Sequence, residues 1–431
     1  MGQRTTFASW LGFIETLHPK AIAMGLDRAA AVASKMSIRL DCPVVTVGGT
    51  NGKGSTCALL EATYRHAGFR SGLYTSPHLA RFNERIRVDG ADVSDEALVE
   101  AFDAVELARG AAGGPDEAIP LTYFEFTTLA ALWLFSRAKL DALVLEVGLG
   151  GRLDAVNIID ADVAIVTTID IDHVDYLGPT REDIGREKAG IFRAGKQAIC
   201  GDPEPPRSLL AKAEVIGAPL WRFGRDFTCT ALGMQWNYAG PASRLHGLPY
   251  PALRGAYQLV NAATALAAVD ALRVRLPVPA SAIRQALVNV ELPGRFQVLP
   301  GRPTVVLDVA HNPQAARAFA DTLGTMGYHP RTLAVFGMLA DKDIEGVAAS
   351  LVARVDRWYI AALPGARGAS AARIARALST AGVADNAVRI YDSIEHAFVA
   401  ARNDANETDR IAAFGSFLTV AAALHAARAA Q

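Results

Sequence analysis

From residue 43 onward, short runs of β-branched and aliphatic residues alternate with stretches whose apolar positions recur at helical spacing. The runs at 43–48, 71–75, 141–147 and 161–169 predict strands, and 56–67 and 94–108 predict amphipathic helices between them. That alternation predicts a parallel sheet covered by helices, because a parallel connection has to cross the sheet. Ala142-Leu143-Val144-Leu145 and Val163-Ala164-Ile165-Val166 are apolar throughout, as strands buried on both faces must be, and are expected at the centre.

Residues 200–255 break the alternation. Pro203, Pro205, Pro206, Gly217, Pro219, Gly240, Pro241, Gly247, Pro249 and Pro251 interrupt them, which predicts a loop-rich or β-hairpin insertion. A helical pattern resumes at 257–273, and Leu292-Pro293-Gly294-Arg295 punctuates the chain before a second alternating series. Its strands are expected at 304–309, 331–337, 357–362, 387–391 and 410–414. Helices are expected near 313–326, 343–354, 370–381, 394–403 and 417–428. The fold expected is therefore α/β, with a first domain over 1–296 and a smaller, Rossmann-like doubly wound domain over 297–431.

The chain has 431 residues, 51% hydrophobic and 20% charged, which suits a folded protein. Lys+Arg 43 against Asp+Glu 44 leaves no basic excess, so neither nucleic acid nor an anionic membrane is an expected partner, and any bound anion must be held by local geometry. Cys42, Cys57, Cys200 and Cys229 form no paired motif, which fits a reducing compartment. No signal peptide or membrane-spanning run is visible, so the cytoplasm is expected; the myristoylation-like start Met1 to Thr6 is too short a pattern to set against that.

The first candidate site is Gly48-Gly49-Thr50-Asn51-Gly52-Lys53-Gly54-Ser55-Thr56, between a strand and a helix. Glycines let backbone N–H groups approach phosphate oxygens, the helix dipole favours an anion, and Lys53 adds a charge. This gives the first domain the look of a P-loop-type ATPase sheet. The spacing departs from the usual motif, with Val47 where glycine is standard and Gly54 where Ser or Thr is. Glu146 ends an apolar strand ahead of a glycine-rich turn. It either holds Mg²⁺ against phosphates or is a solvated carboxylate, and the sequence supports both. His173 and Asp308-Val309-Ala310-His311-Asn312-Pro313 also follow strands; on spacing alone the first reads as structural and the second equally well as a helix cap. Lys188 reads as an ordinary helical lysine.

Taken together, Gly49 to Ser55, Tyr74 to Leu79, Leu121 to Glu125, Glu146 to Asn157, Asp172-His173, Glu187 to Gly190, Pro293 to Arg295, Asp308 to Pro313 and Phe414 to Phe417 resemble the folate branch of the Mur ligase superfamily, in the same order along the whole chain. The resemblance implies ATP-dependent joining of L-glutamate to dihydropteroate and to reduced folates through an acyl phosphate. It implies an ATP-binding central domain with an N-terminal pterin-binding segment, followed by a glutamate-ligase domain. Carried over by position, Gly52, Lys53, Gly54 and Ser55 resemble the phosphate cradle, with Ser55 near Mg²⁺. Ser76 and Glu146 resemble ligands of one Mg²⁺, and His173 a ligand of a second. Lys188 resembles the family's carbamylated lysine, so that Lys53, His173 and Lys188 form the implied catalytic set. Asn261, Arg295, Asp308 and His311 resemble nucleotide contacts drawn from both domains. Ile22, Ala23, Met24, Thr122, Tyr123, Phe124, Glu125, Leu153, Asp154 and Ala155 resemble the pterin site, where Phe124 would stack on a ring and Asp154 accept pterin N–H groups. Tyr257 departs from the pattern, since many relatives carry His there. A cell-wall ligase is disfavoured because only about 43 residues precede the first strand, too few for a further domain, and a plain phosphotransferase would follow the usual spacing. A monomer is expected.

Overall fold

The computed structural model describes residues 6–20, 22–113 and 118–429. The start of the chain at 1–5, with its myristoylation-like pattern, lies outside the described residues. The chain divides into two compact units, Met1–Pro251 with Val260–Val290, and Ala252–Leu259 with Glu291–Gln431. Among the described residues no helix is long and apolar enough to cross a membrane.

The first unit is built on strands β1 (Val44–Gly48), β2 (Ser71–Tyr74), β3 (Ile86–Val88), β4 (Ala91–Asp92), β5 (Ala142–Glu146), β6 (Val163–Val166), β7 (Gln197–Cys200) and β8 (Leu220–Arg222). They form one sheet in the order β4-β3-β2-β5-β1-β6-β7-β8, parallel from β2 to β8, with β3 and β4 antiparallel at one edge. β5 and β6 flank β1 and are buried at every position, so the two wholly apolar runs do lie at the centre. One face is covered by a core in which Trp10, Phe102, Phe126 and Leu129 are fully buried; the other carries Ile184, Ile191, Phe192 and Leu209.

Residues 200–255 are more regular than their composition suggests. The prolines at 203–206 sit ahead of a helix, Arg207–Ile216, with Pro206 at its N-cap and Gly217 at φ +72° closing it. Proline is harmless before the first turn, where an N–H needs no partner, so these residues bound a helix and do not exclude one. The hairpin reading holds further on: β9 (Thr228–Leu232), β10 (Gln235–Ala239) and β11 (Arg244–Pro249) form an antiparallel meander. Tyr238 and Ser243 fasten it to Asp270 of the helix Tyr257–Leu272 at 2.9 and 2.7 Å.

In the second unit β12 (Gln297–Leu299), β13 (Thr304–Asp308), β14 (Thr332–Phe336), β15 (Arg357–Ala361), β16 (Val388–Tyr391) and β17 (Arg410–Phe414) run β12-β13-β17-β14-β15-β16, all parallel except β12. The helices between them match the second alternating series within a few residues. Phe414 sits in the middle of that core, with ring centroids 5.3, 5.0 and 5.9 Å from Phe319, Phe336 and Trp358.

Candidate active site

Four adjacent parallel strands, β2, β5, β1 and β6, end on the same edge of the sheet, and the segments that follow them carry most of the singled-out residues. In an open α/β sheet this edge is where ligands bind. Val47 and Gly48 are still in the sheet, Val47 paired with Glu146 on one side and Ile165 on the other and Gly48 with Val166, so the loop starts at Gly49, two residues past the position where the usual motif has its first glycine. A Cβ on Gly49 would stand 1.8 Å from Thr167 Oγ1, and one on Gly52, at φ +88°, 2.4 Å from Asn261 Oδ1. Both positions therefore require glycine. Thr167 and Thr168 donate to the carbonyl of Asn51 at 2.7 and 3.1 Å, and Thr50 N–H donates to the carbonyl of Thr168 at 2.7 Å. The loop is thus clamped to the segment after β6 before the helix Lys53–His66 begins at Gly52. Lys53 folds back so that Nζ donates to the carbonyls of Gly49 and Thr50 at 3.0 and 3.1 Å.

Glu146, 4% exposed, accepts the backbone N–H of Ser76 at 3.2 Å, which joins two of the implied metal ligands directly. The loop of Ser76 is held from below by Glu84, whose carboxylate accepts from the N–H groups of Leu79, Ala80 and Arg81 at 2.7–2.9 Å. His173 adopts φ +52°, and its N–H is capped by Asp172 Oδ1 at 2.8 Å. Among the described residues there is no group of three or more His, Cys, Asp or Glu able to hold a metal by themselves. The carboxylate of Glu146 and the hydroxyl of Ser76 are oxygen donors, which suit a divalent ion that takes the rest of its ligands from nucleotide phosphates and water.

Lys188 is 3% exposed at the end of the helix Arg181–Lys188. Burial, reinforced by the charge of Lys53, lowers its pKa to about 7, against the pull of Asp172 and Asp154. The segment 151–157 packs onto it: Arg152 pairs with Glu187 at 2.9 Å, Asn157 Nδ2 donates to the carbonyls of Arg152 and Gly190, and a Cβ on Gly190 would meet Arg152 Cβ at 2.3 Å. Asp154, also buried, accepts from the N–H groups of Leu149 and Val156 at 2.8 and 3.0 Å, and burial lifts its pKa to about 6. Each carboxylate oxygen has a second lone pair, so the turn-forming role and a ligand contact are compatible.

The three pterin-like segments, far apart in sequence, meet. Gly25 N–H donates to the carbonyl of Leu153 at 3.4 Å, and Met24 Cε lies 3.7 Å from where a Cβ on Gly150 would be. Thr122 and Glu125 form a capping box at the start of the helix Tyr123–Phe135. Arg28 donates to Glu125 Oε1 at 2.8 Å and to the carbonyl of Ala23 at 2.7 Å, tying the first segment to the second. Sequence reasoning passed over Arg28, because a lone arginine on a helix carries no pattern. Phe124 leans on Gly148, where a Cβ would stand 2.6 Å from its ring. Burial and the neighbouring Arg85 cation lower the pKa of His78, whose ring lies 6.0 Å from that of Phe82, to about 4.

In the second unit Asp308 accepts from the N–H groups of Phe296 and Ala310 at 2.7 and 2.8 Å, and Arg295 lies over the ring of Phe417 at 5.0 Å. Burial raises the pKa of Tyr257, and Asp308 pushes it the same way while Arg295 opposes. Tyr257 therefore stands in the field of two implied nucleotide contacts. His311 Nδ1 is 2.8 Å from the carbonyl of Val309, and Asn312 caps the following helix. The capping reading of this segment is correct, with Asn312 Oδ1 accepting the N–H of Ala315 at 3.0 Å.

Comparison with known proteins agrees with this layout. Residues 47–269 match the Mur ligase middle domain and residues 294–417 the Mur ligase glutamate ligase domain. Over 415 residues the chain is 46% identical to the dihydrofolate synthase/folylpolyglutamate synthase of Escherichia coli K12, covering 96% of this chain and 94% of that one. The chain belongs to this folate branch of the Mur ligases. The structure of E. coli FolC in complex with DHPP and ADP superposes with a TM-score of 0.92 at 45% identity, over 99% of both chains. A bifunctional folylpolyglutamate synthase/dihydrofolate synthase solved with Mn, AMPPNP and L-glutamate superposes at 0.89 with 44% identity, again over 99% of each. The family's fold, a parallel-sheet unit followed by a smaller α/β unit, is the one described above.

Proposed function

We propose that this chain is an ATP-dependent ligase that adds L-glutamate to dihydropteroate, giving dihydrofolate, and to reduced folates, giving folylpolyglutamates. The observation that carries the reading is the convergence, within one unit, of the clamped phosphate loop, the Ser76–Glu146 pair, buried Lys188 and the three joined pterin-like segments. A substrate carboxylate oxygen attacks the γ-phosphorus of ATP and the bond to the β-phosphate oxygen breaks, leaving ADP and an acyl phosphate. The amine of glutamate then attacks the acyl carbon, and phosphate leaves as the amide forms and the amine proton is lost. Such chemistry needs positioning and charge neutralisation more than covalent help from the protein. Gly52 to Ser55 receive the phosphates, and Lys53 turns from the carbonyls of Gly49 and Thr50 to them.

Ser76 and Glu146 are assigned to one Mg²⁺ and His173 to a second, which when bound would neutralise phosphate charge during transfer. Lys188 is assigned as a carbamate. A neutral amine adds to CO₂ and releases a proton, giving a carboxylate-like group, and the low pKa of Lys188 supplies neutral amine near pH 7. Asn261, Arg295, Asp308 and His311 are assigned to the nucleotide, and Ile22 to Met24, Thr122 to Glu125 and Leu153 to Ala155 to the pterin. The deciding experiment is ADP release with ATP, Mg²⁺ and L-glutamate, with dihydropteroate in one reaction and tetrahydrofolate in another. Turnover with both is expected; turnover with tetrahydrofolate alone would remove the dihydropteroate activity, and none with either would end the ligase reading.

A further inference from the structure

Arg85 ends the short turn Phe82–Arg85 and is 8% exposed. Its guanidinium lies 5.5 Å from the ring centroids of both Phe82 and Tyr123, and its Nε donates to His78 Nδ1 at 2.8 Å. An imidazole nitrogen that accepts a hydrogen bond is a neutral partner, so the pair retains the whole positive charge of the guanidinium. Among the described residues no carboxylate comes within ion-pair distance of Arg85, and neither Nη atom has a protein acceptor. The adjacent acid, Glu84, is turned away, with its oxygens on the N–H groups of Leu79, Ala80 and Arg81. Arg109, equally buried at 8%, shows the usual arrangement: both arms of its fork rest on Glu106 at 2.9 and 2.7 Å, and Nη1 donates to the carbonyl of Ile119.

A buried cation without a counter-ion is costly to the folded protein, and aromatic faces offset only part of that cost. The position of Arg85 shows what would offset the rest. Its carbonyl accepts the N–H of Thr75, the residue before Ser76, and its guanidinium faces Tyr123, the residue before Phe124. The charge is thus set between the loop of an implied metal ligand and the pterin-like segment, with rings on two sides and a two-pronged donor left over. A planar fork matches a carboxylate bidentately, and the flanking rings suit the aromatic group to which such a carboxylate is attached.

We propose that Arg85 holds a carboxylate of the pterin substrate through its Nη groups, an assignment that rests on the ligase reading above. In dihydropteroate the carboxylate is that of the benzoate; in a reduced folate it is the α-carboxylate of the glutamyl residue. A phosphate group of ATP is the competing anion.

The test uses the full chain and its Arg85→Met and Arg85→Lys variants. Binding is measured for dihydropteroate against the same compound lacking its carboxylate, and for tetrahydrofolate against its α-carboxamide. The wild type is expected to favour at least one of the two acids by about tenfold or more. Arg85→Met should abolish that preference while binding the uncharged analogue as the wild type does, and Arg85→Lys should restore part of it. Loss of the first preference assigns the benzoate, and loss of the second the α-carboxylate. Because the buried cation has no counter-ion in the protein, Arg85→Met should melt no lower than the wild type when no ligand is present, whereas a structural arginine would lower the melting temperature. Should Arg85→Met fail to fold, that already contradicts the proposal, and Arg85→Lys still reads the preference. Retention of both preferences, equal weakening of acid and analogue, or a selective rise in the KM for ATP would each overturn it. If the wild type binds no pterin at all, the ligase reading falls and takes this assignment with it; if it binds them and Arg85→Met discriminates unchanged, only the assignment of Arg85 falls.

Discussion

Lys188 is a lysine in a place that disfavours its ammonium, and the sign of that effect can be tested. Its folded-state pKa of about 7 lies below the ordinary 10.5, so between those values the unfolded chain binds the extra proton. Stability from this group is complete above about pH 10.5 and is lost as pH falls towards 7. In CO₂-depleted buffer, where the side chain is the free amine, Lys188→Met should therefore raise the melting temperature at pH 6–7, and the gain should shrink as the pH approaches 10. Lys188→Ala should lower turnover at least ~100-fold while changing ATP affinity only a few-fold, since the residue is assigned to phosphoryl-transfer chemistry and not to the loop that receives phosphates. In CO₂-depleted buffer wild-type activity should drop, and bicarbonate should restore it. Gly52→Ala is the complementary change: φ +88° and a Cβ 2.4 Å from Asn261 Oδ1 leave it no room, so the KM for ATP should rise at least ~10-fold.

At the scale of elements, the segments after the strands are held by side chains that do no chemistry. Thr167 hydrogen-bonds the carbonyls of both Gly48 and Asn51. Thr167→Val keeps the shape and loses both bonds. It should cost about 1–2 kcal/mol in stability, read by urea denaturation, and loosen the phosphate loop enough to raise the KM for ATP. Glu84 serves the Ser76 loop in the same way, and Glu84→Ala leaves three N–H groups without their acceptor. A Ser76 no longer set against Glu146 should need several-fold more Mg²⁺ for half-maximal activity, while excess Mg²⁺ recovers most of the rate. The helices were easier to anticipate than these tethers, because a helix is written in the spacing of its own residues. Thr167 and Glu84 gain meaning only from partners that folding supplies.

For the molecule as a whole, each unit has its own core, and Phe414 shows how tightly the second is packed. Phe414→Ala removes a fully buried ring touching Phe319, Phe336 and Trp358 and should cost about 3–5 kcal/mol, read as a shifted denaturation midpoint. The strand order explains why the active-site segments sit together: β2, β5, β1 and β6 are side by side and parallel, so segments distant in sequence leave the sheet at one edge. The alternating series announced a parallel sheet but not this order. β5 lies between β2 and β1 although it follows both along the chain, a pairing between segments that no local pattern specifies.

The sequence by itself determined the elements and the place of the glycine loop between β1 and the helix after it, because periodicity, apolar strands and glycines at a strand-to-helix turn are local properties. Its resemblance to a ligase family named Lys188 and the pterin-like segments without supplying a reason for either. Tertiary structure supplied the reasons: burial beside Lys53 that draws the pKa of a plain helical lysine down to about 7, Arg28 reaching Glu125 across 97 residues while also holding the carbonyl of Ala23, and the solitary charge of Arg85. Hydrogen bonding and desolvation depend on what surrounds a group in space, and that is fixed only when distant segments meet.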